Sequence, residues 1–131
     1  MSNRLETGTA DVWKSTFVLA VEDLAASRAF WVERLGFHVD KLVDGWAFLS
    51  RGECHVRIGD CPGIRSMRTT PDHSWFAYLH VNDAQALFEE YQRREVPIWH
   101  PVEDKPWGLR EFGIVTPDGH RIVFGQILAK T

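Results

Sequence analysis

From Thr16 to Val21 the side chains alternate, with Phe17, Leu19 and Val21 on one side and Thr16, Val18 and Ala20 on the other. Apolar residues on both sides predict a strand covered on both faces. Asp23 then stands where a helix cap belongs. Leu24, Ser27, Trp31 and Leu35 follow on one stripe at helical spacing, and Gly36 sits where a left-handed C-cap would end the helix. Three short strands come next: Phe37 to Leu42, Trp46 to Ser50 after the Asp44-Gly45 turn, and Cys54 to Ile58 after the Arg51-Gly52 turn. The first half of the chain therefore reads β-α-β-β-β.

Gly59 to Asp72 carries Pro62, Gly63 and Pro71 without periodicity and reads as a linker, after which the pattern restarts. Leu79, Val81 and Asp83 repeat Leu19, Val21 and Asp23 sixty residues on, and Ala84, Leu87, Phe88 and Tyr91 mark a second helix that Pro97 stops. Strands at Ile98 to Val102, Glu111 to Val115 and Arg121 to Ile127 complete the copy. The last two are joined by a turn in which Pro117 presets φ, Asp118 hydrogen-bonds its own backbone and Gly119 takes a positive φ. The fold class is α+β. Two βαβββ modules in one chain form a curved, barrel-like mixed sheet with an open cleft, within a single domain spanning 1–131. Module one runs from about 14 to 59, the linker from about 60 to 73 and module two from about 74 to 128. Each sheet buries one face under its own helix, which leaves the other face for a cleft.

The 131 residues are 44% apolar and 25% charged, enough for one real core. A net charge of −3 gives no reason to expect nucleic acid or an anionic membrane. The opening residues carry no apolar signal region and read as a loose arm that could dock Val12 and Trp13. No run approaches the ~20 apolar residues of a membrane span, so a cytoplasmic location is expected. Cys54 and Cys61 match neither a zinc set nor a disulfide framework, and reduced thiols are expected.

No Gly-x-Ser-x-Gly elbow, phosphate-binding glycine loop, His-Glu-x-x-His pair or cysteine with an evident base occurs. The six histidines are scattered, His120 reads as a solvated turn residue, and Glu111 as a solvated strand residue. The aromatics carry more signal. Six tryptophans are many for this length, and Trp46 beside a turn and Trp107 between Pro106 and Gly108 do not suit a closed core.

Three stretches, FVLAVEDLAASRAFWVERLGF from Phe17, WFAYLHVNDAQALFEEYQ from Trp75 and KPWGLREFGIVTPDGHRIVFGQ from Lys105, resemble the vicinal oxygen chelate superfamily. Within it they resemble the bleomycin resistance proteins. The enzymes of that superfamily hold a divalent metal with His and Glu on the opening and closing strands of each module. Here the corresponding positions fall on Thr16, Phe76, Arg57 and Val123, so the resemblance implies no metal and no cofactor. In the resistance proteins a Trp of the PWG segment stacks on the flat part of the drug, which carries over to Trp107. The ligand-binding set expected is Trp107, Trp46, Phe48, His55, Arg57, Phe76, Tyr78, His80 and Arg110. The resemblance also implies a homodimer, and a function of sequestering a small planar aromatic molecule or antibiotic. Resistance proteins that bind bleomycin are usually strongly acidic, and a net charge of −3 with Arg57 in the cleft departs from that. The alternative is a metal-dependent lyase, isomerase or dioxygenase whose ligands have moved.

Overall fold

The computed structural model describes residues 10–69 and 74–128. Strands β1 (Phe17–Val21), β2 (His38–Val43), β3 (Trp46–Arg51) and β4 (Cys54–Asp60) form one sheet in the order β1-β4-β3-β2. Strands β5 (Trp75–His80), β6 (Ile98–Asp104), β7 (Leu109–Val115) and β8 (Arg121–Ile127) form a second in the order β5-β8-β7-β6. The repeat is thus exact in topology: in each module the first strand lies parallel to the last, and hairpins supply the other pairings. Several strands run longer than the alternation predicts. β4 continues to Asp60, β6 to Asp104, and β7 begins at Leu109.

Helix α1 (Leu24–Ala29) starts where Asp23 accepts a hydrogen bond from the Ala26 N–H at 3.1 Å, and it continues through a π-helical turn, Phe30–Arg34. Helix α2 (Ala84–Arg93) repeats the device with Asp83 and the Ala86 N–H. The predicted stripe on α1 is the buried one, with Trp31 and Leu35 in the core. Gly36 takes φ +79° at the end of that segment, a conformation that costs a β-carbon-bearing residue strain. Under α2, Phe88 and Tyr91 cover Phe112 and Phe124, whose rings stack at 4.9 Å. Each such side chain contributes about 1.5–3 kcal/mol by burial.

Among the described residues the two sheets share no hydrogen-bond ladder, so no barrel closes within the chain. The modules meet instead through side chains. Phe17 of β1 meets Phe76 of β5 with ring centroids 4.9 Å apart, and Phe76 also packs against Trp31. The Tyr91 hydroxyl donates to the Leu35 carbonyl at 2.9 Å, while Arg51 reaches both Leu35 O and Glu90. The Asp118 carboxylate accepts from the Glu22 N–H at 3.0 Å and from the Ser27 hydroxyl at 2.8 Å. The turn forms as expected, with Gly119 at φ +87° and its N–H donating to Thr116 O. Its Asp118 side chain, however, serves the neighbouring module and not its own backbone. The predicted linker lies partly outside the described residues, at 70–73, as does His73.

Candidate functional site

With one face of each sheet under a helix, alternation dictates what the other face carries. On the first sheet Val56 and Ile58 are buried, so His55 and Arg57 point to the free side, and Trp46, Phe48 and Ser50 join them across the β3–β4 ladder. The Arg57 guanidinium lies over both aromatics, 4.5 Å from the Trp46 ring centre and 5.3 Å from that of Phe48. His55 stands opposite Ser50 on the same face.

On the second sheet Ile122 and Phe124 are buried, which turns Arg121, Val123 and Gly125 outward beside Tyr78 and His80 of β5. The Tyr78 ring lies across Gly125, where any β-carbon would collide with its hydroxyl, and that hydroxyl donates to Glu111 at 2.9 Å. Burial, and then the Glu111 hydrogen bond and charge, push the Tyr78 hydroxyl up to about 12, so it remains a neutral donor. His80 flanks it with ring centres 5.1 Å apart. The Trp107 Nε1–H donates to the same Glu111 oxygen at 3.3 Å, while its indole remains 63% exposed and Lys105 Nζ lies 5.8 Å from its centre. An exposed indole is thereby tied in place by a carboxylate that also orients a tyrosine.

Of the expected set, Trp46, Phe48, His55 and Arg57 come together on one face, and Trp107, Tyr78 and His80 on the other. Two residues go elsewhere. A register shift between Trp75 and Ala77 turns Phe76 toward the module junction, against Phe17, Trp31 and His120. Arg110 shares the helix side of β7 with Phe112 and forms a two-pronged pair with Asp104 at 2.6 and 3.1 Å. His120 is not a solvated residue: it packs on Phe76, its Nδ1 is buried without a partner among the described residues, and burial lowers its pKa.

Glu111, read from sequence as solvated, is the acceptor that organises the second face. Trp99 and Arg121 escaped notice altogether: the Arg121 guanidinium lies 4.5 Å from the Trp99 ring centre, and the ring rests on Gly113. A signal was available. Gly59, Gly113 and Gly125 interrupt strands otherwise rich in β-branched and aromatic residues, and an isolated strand glycine marks a close approach. Trp46, Trp99 and Tyr78 are what approach.

A separate groove of roughly 780 Å³ runs along the β5 edge between the modules, lined by Phe17, Phe37, Cys54, Leu87 and Phe124, and Tyr78 and His80 reach it as well. Burial pushes the Cys54 thiol up to about 11, leaving it protonated and unreactive. Among the described residues no group of three or more His, Cys, Asp or Glu side chains converges as a metal site would require. Of the four positions implied for metal ligands, Arg57 and Val123 occupy the middle of the free faces, Phe76 packs at the junction, and Thr16 precedes β1. None offers a ligand atom suited to a divalent ion. What the arrangement can do is stack on flat rings and present a few fixed hydrogen-bonding groups.

The sequence model of the Glyoxalase/Bleomycin resistance protein/Dioxygenase superfamily matches residues 15–124. The chain belongs to this superfamily. Within the superfamily, a bleomycin resistance protein of Klebsiella pneumoniae is 28% identical over 121 residues, covering 85% of this chain and 91% of that protein. The bleomycin-binding protein of bleomycin-producing Streptomyces verticillus, solved with copper(II)-bleomycin, superposes with a TM-score of 0.70 at 27% identity, over 93% of this chain and 100% of that one. A bleomycin resistance determinant encoded on transposon Tn5 superposes at 0.69 with 26% identity, over 92% and 100%. A superfamily member from Alicyclobacillus acidocaldarius reaches 0.75 at 16% identity, over 92% and 93%, and attests the shared fold.

Proposed function

We propose that the chain is a metal-free binding protein that sequesters a planar aromatic small molecule of antibiotic type without transforming it, acting as a cytoplasmic homodimer. The observation that carries this reading is Trp107. A hydrophobic ring 63% exposed is costly to leave in water, yet Glu111 fixes its orientation instead of letting it fold back, as a stacking platform requires. The neutral Tyr78 hydroxyl and His80 beside it supply polar contacts. Likeness to proteins named for bleomycin resistance and bleomycin binding supports the ligand class. No helix among the described residues is long and apolar enough to cross a membrane. A dimer is supported by β2, an edge strand that leaves Val39, Leu42 and Val43 in solvent.

The test is a fluorescence titration with bleomycin and a smaller thiazole, in wild type and Trp107→Ala. The ligand should quench indole emission, and the substitution should weaken binding roughly tenfold to a hundredfold, the equivalent of one stack. The unfolding midpoint should hardly move. Loss of stability with affinity intact would make Trp107 a structural residue and remove the basis of the reading. A glutathione adduct should be recovered unchanged, and its conversion, or a saturable thermal shift with one equivalent of zinc or manganese, would favour a metal-dependent lyase, isomerase or dioxygenase. Sedimentation should give about twice the 15.1 kDa chain mass.

A further inference from the structure

We propose that the flat ligand is an anion, a planar aromatic bearing a carboxylate, sulfonate or acidic phenol, and that Arg57 on the free face of the first sheet selects it; this rests on the binding reading above. Several other arginines have structural partners among the described residues. Arg51 pairs with Glu90, Arg110 with Asp104, and Arg34 and Arg68 donate to backbone carbonyls. Arg57 has neither an ion pair nor a hydrogen bond among the described residues, only the rings of Trp46 and Phe48. Its Nε is buried without an acceptor.

The placement is built and not incidental. Trp46 rests on Gly59, where a β-carbon would come within 2.8 Å of the indole, so the ring is held between the Gly59 backbone and the guanidinium. The second sheet repeats the device with Trp99, Gly113 and Arg121 on different strands. A guanidinium is always charged, and with its carbon 4.5 Å from the Trp46 ring centre its terminal N–H groups meet no protein acceptor among the described residues. Leaving those donors unmet has a cost that a carboxylate relieves. One neighbour has the same sign: Lys41 stands opposite Phe48 on the adjoining strand. The acid nearby, Asp40, accepts from the Ser50 hydroxyl. A ligand's acidic group can meet the N–H edge of the guanidinium, whereas a cationic group would meet like charge.

The experiment titrates the full chain with three matched probes, anthracene carboxylate, anthracenemethanol and aminomethylanthracene, at low and high ionic strength. The carboxylate should bind about tenfold more tightly than the alcohol, the amine more weakly than either, and the preference should shrink with salt. Arg57→Gln should bring the carboxylate down to the level of the alcohol, and Arg57→Lys should fall between, since it retains charge and loses the fork. If Arg57→Gln fails to fold, the ratio among probes on wild type still decides the matter. Binding of the alcohol or amine as tightly as the carboxylate would overturn the proposal and leave the aromatic-binding reading standing. So would a preference that survives Arg57→Gln. If none of the three binds and Arg57→Gln changes the sedimentation coefficient, the face belongs to a second copy of the chain, and the binding reading falls with the proposal.

Discussion

Asp118 holds the two modules in register, and its removal can be followed quantitatively. Its carboxylate accepts the Ser27 hydroxyl at 2.8 Å and the Glu22 N–H at 3.0 Å, bridging the last hairpin of the second module to the strand–helix junction of the first. Ser27 is 3% exposed, so burial opposes solvent taking the place of the lost acceptor. A hydrogen bond to a charged group contributes about 1.5–3 kcal/mol, and the Glu22 bond, open to solvent, belongs below that range. Asp118→Ala should therefore cost about 2–3 kcal/mol. Asp118→Asn, which suits the turn equally and retains one acceptor oxygen, should cost about 1 kcal/mol.

The decisive comparison is a double-mutant cycle measured by urea unfolding. In Asp118→Ala the Ser27 hydroxyl is buried and unpaired, so adding Ser27→Ala removes a liability and should cost little more. The two single losses should exceed the double loss by about 1 kcal/mol, with the denaturant slope unchanged. Strict additivity would refute the clamp. So would Asp118→Ala within about 0.5 kcal/mol of wild type, the range of an ordinary surface change.

Two further outcomes concern titration. Both tyrosines, Tyr78 and Tyr91, are pushed up to about 12, first by burial, so absorbance titration should show no tyrosinate step near the ordinary value of about 10. Glu111→Gln removes the charge beside Tyr78 and should bring that group down, and a step near 10 in wild type would contradict the geometry. His120 has its pKa lowered by burial, so on acidification the unfolded chain takes up the proton first. Its contribution to stability is complete above about pH 6.5 and declines as pH falls below that value; His120→Gln should flatten the fall between about pH 7 and 5, and an unchanged profile would exclude it.

What could be read in the sequence was what short-range chemistry decides. The caps at Asp23 and Asp83 act three residues on, the Pro117-Asp118-Gly119 turn is local, and the helical stripe through Trp31 needs only the period of the helix. The repeat of these signals sixty residues apart established the two modules. Features that failed to show depend on register. One irregularity at Trp75/Ala77 carried Phe76 from the free face to the junction, while Tyr78 and His80 after it keep their expected face. Glu111 gains its role from Tyr78 on another strand and from a turn tryptophan, and Trp99 meets Arg121 across the intervening β7. No window along the chain contains those neighbours. His120 follows an evident turn, yet the ring that buries it belongs to β5.

The arginines differ in what surrounds them. At the module junction Arg51 lies against Glu90, whose carboxyl it holds below the ordinary range, and the Leu35 carbonyl completes its hydrogen bonding. Such a group is already satisfied, and a ligand would have to break a pair to engage it. On the free faces Arg57 and Arg121 have aromatic rings where acids would otherwise be, which fixes their planes without neutralising them. Glu111 shows the converse choice, a carboxylate spent on orienting Tyr78 and Trp107 with two neutral donors and no cation bonded to it among the described residues. The first face thus keeps the Arg57 cation, and the second carries both the Glu111 carboxylate and the Arg121 guanidinium, each with aromatic neighbours. Under the proposed binding role, a ligand that stacks on both would turn its acidic edge toward Arg57 and its donor edge toward Glu111, so these two residues would set its orientation as well as its affinity.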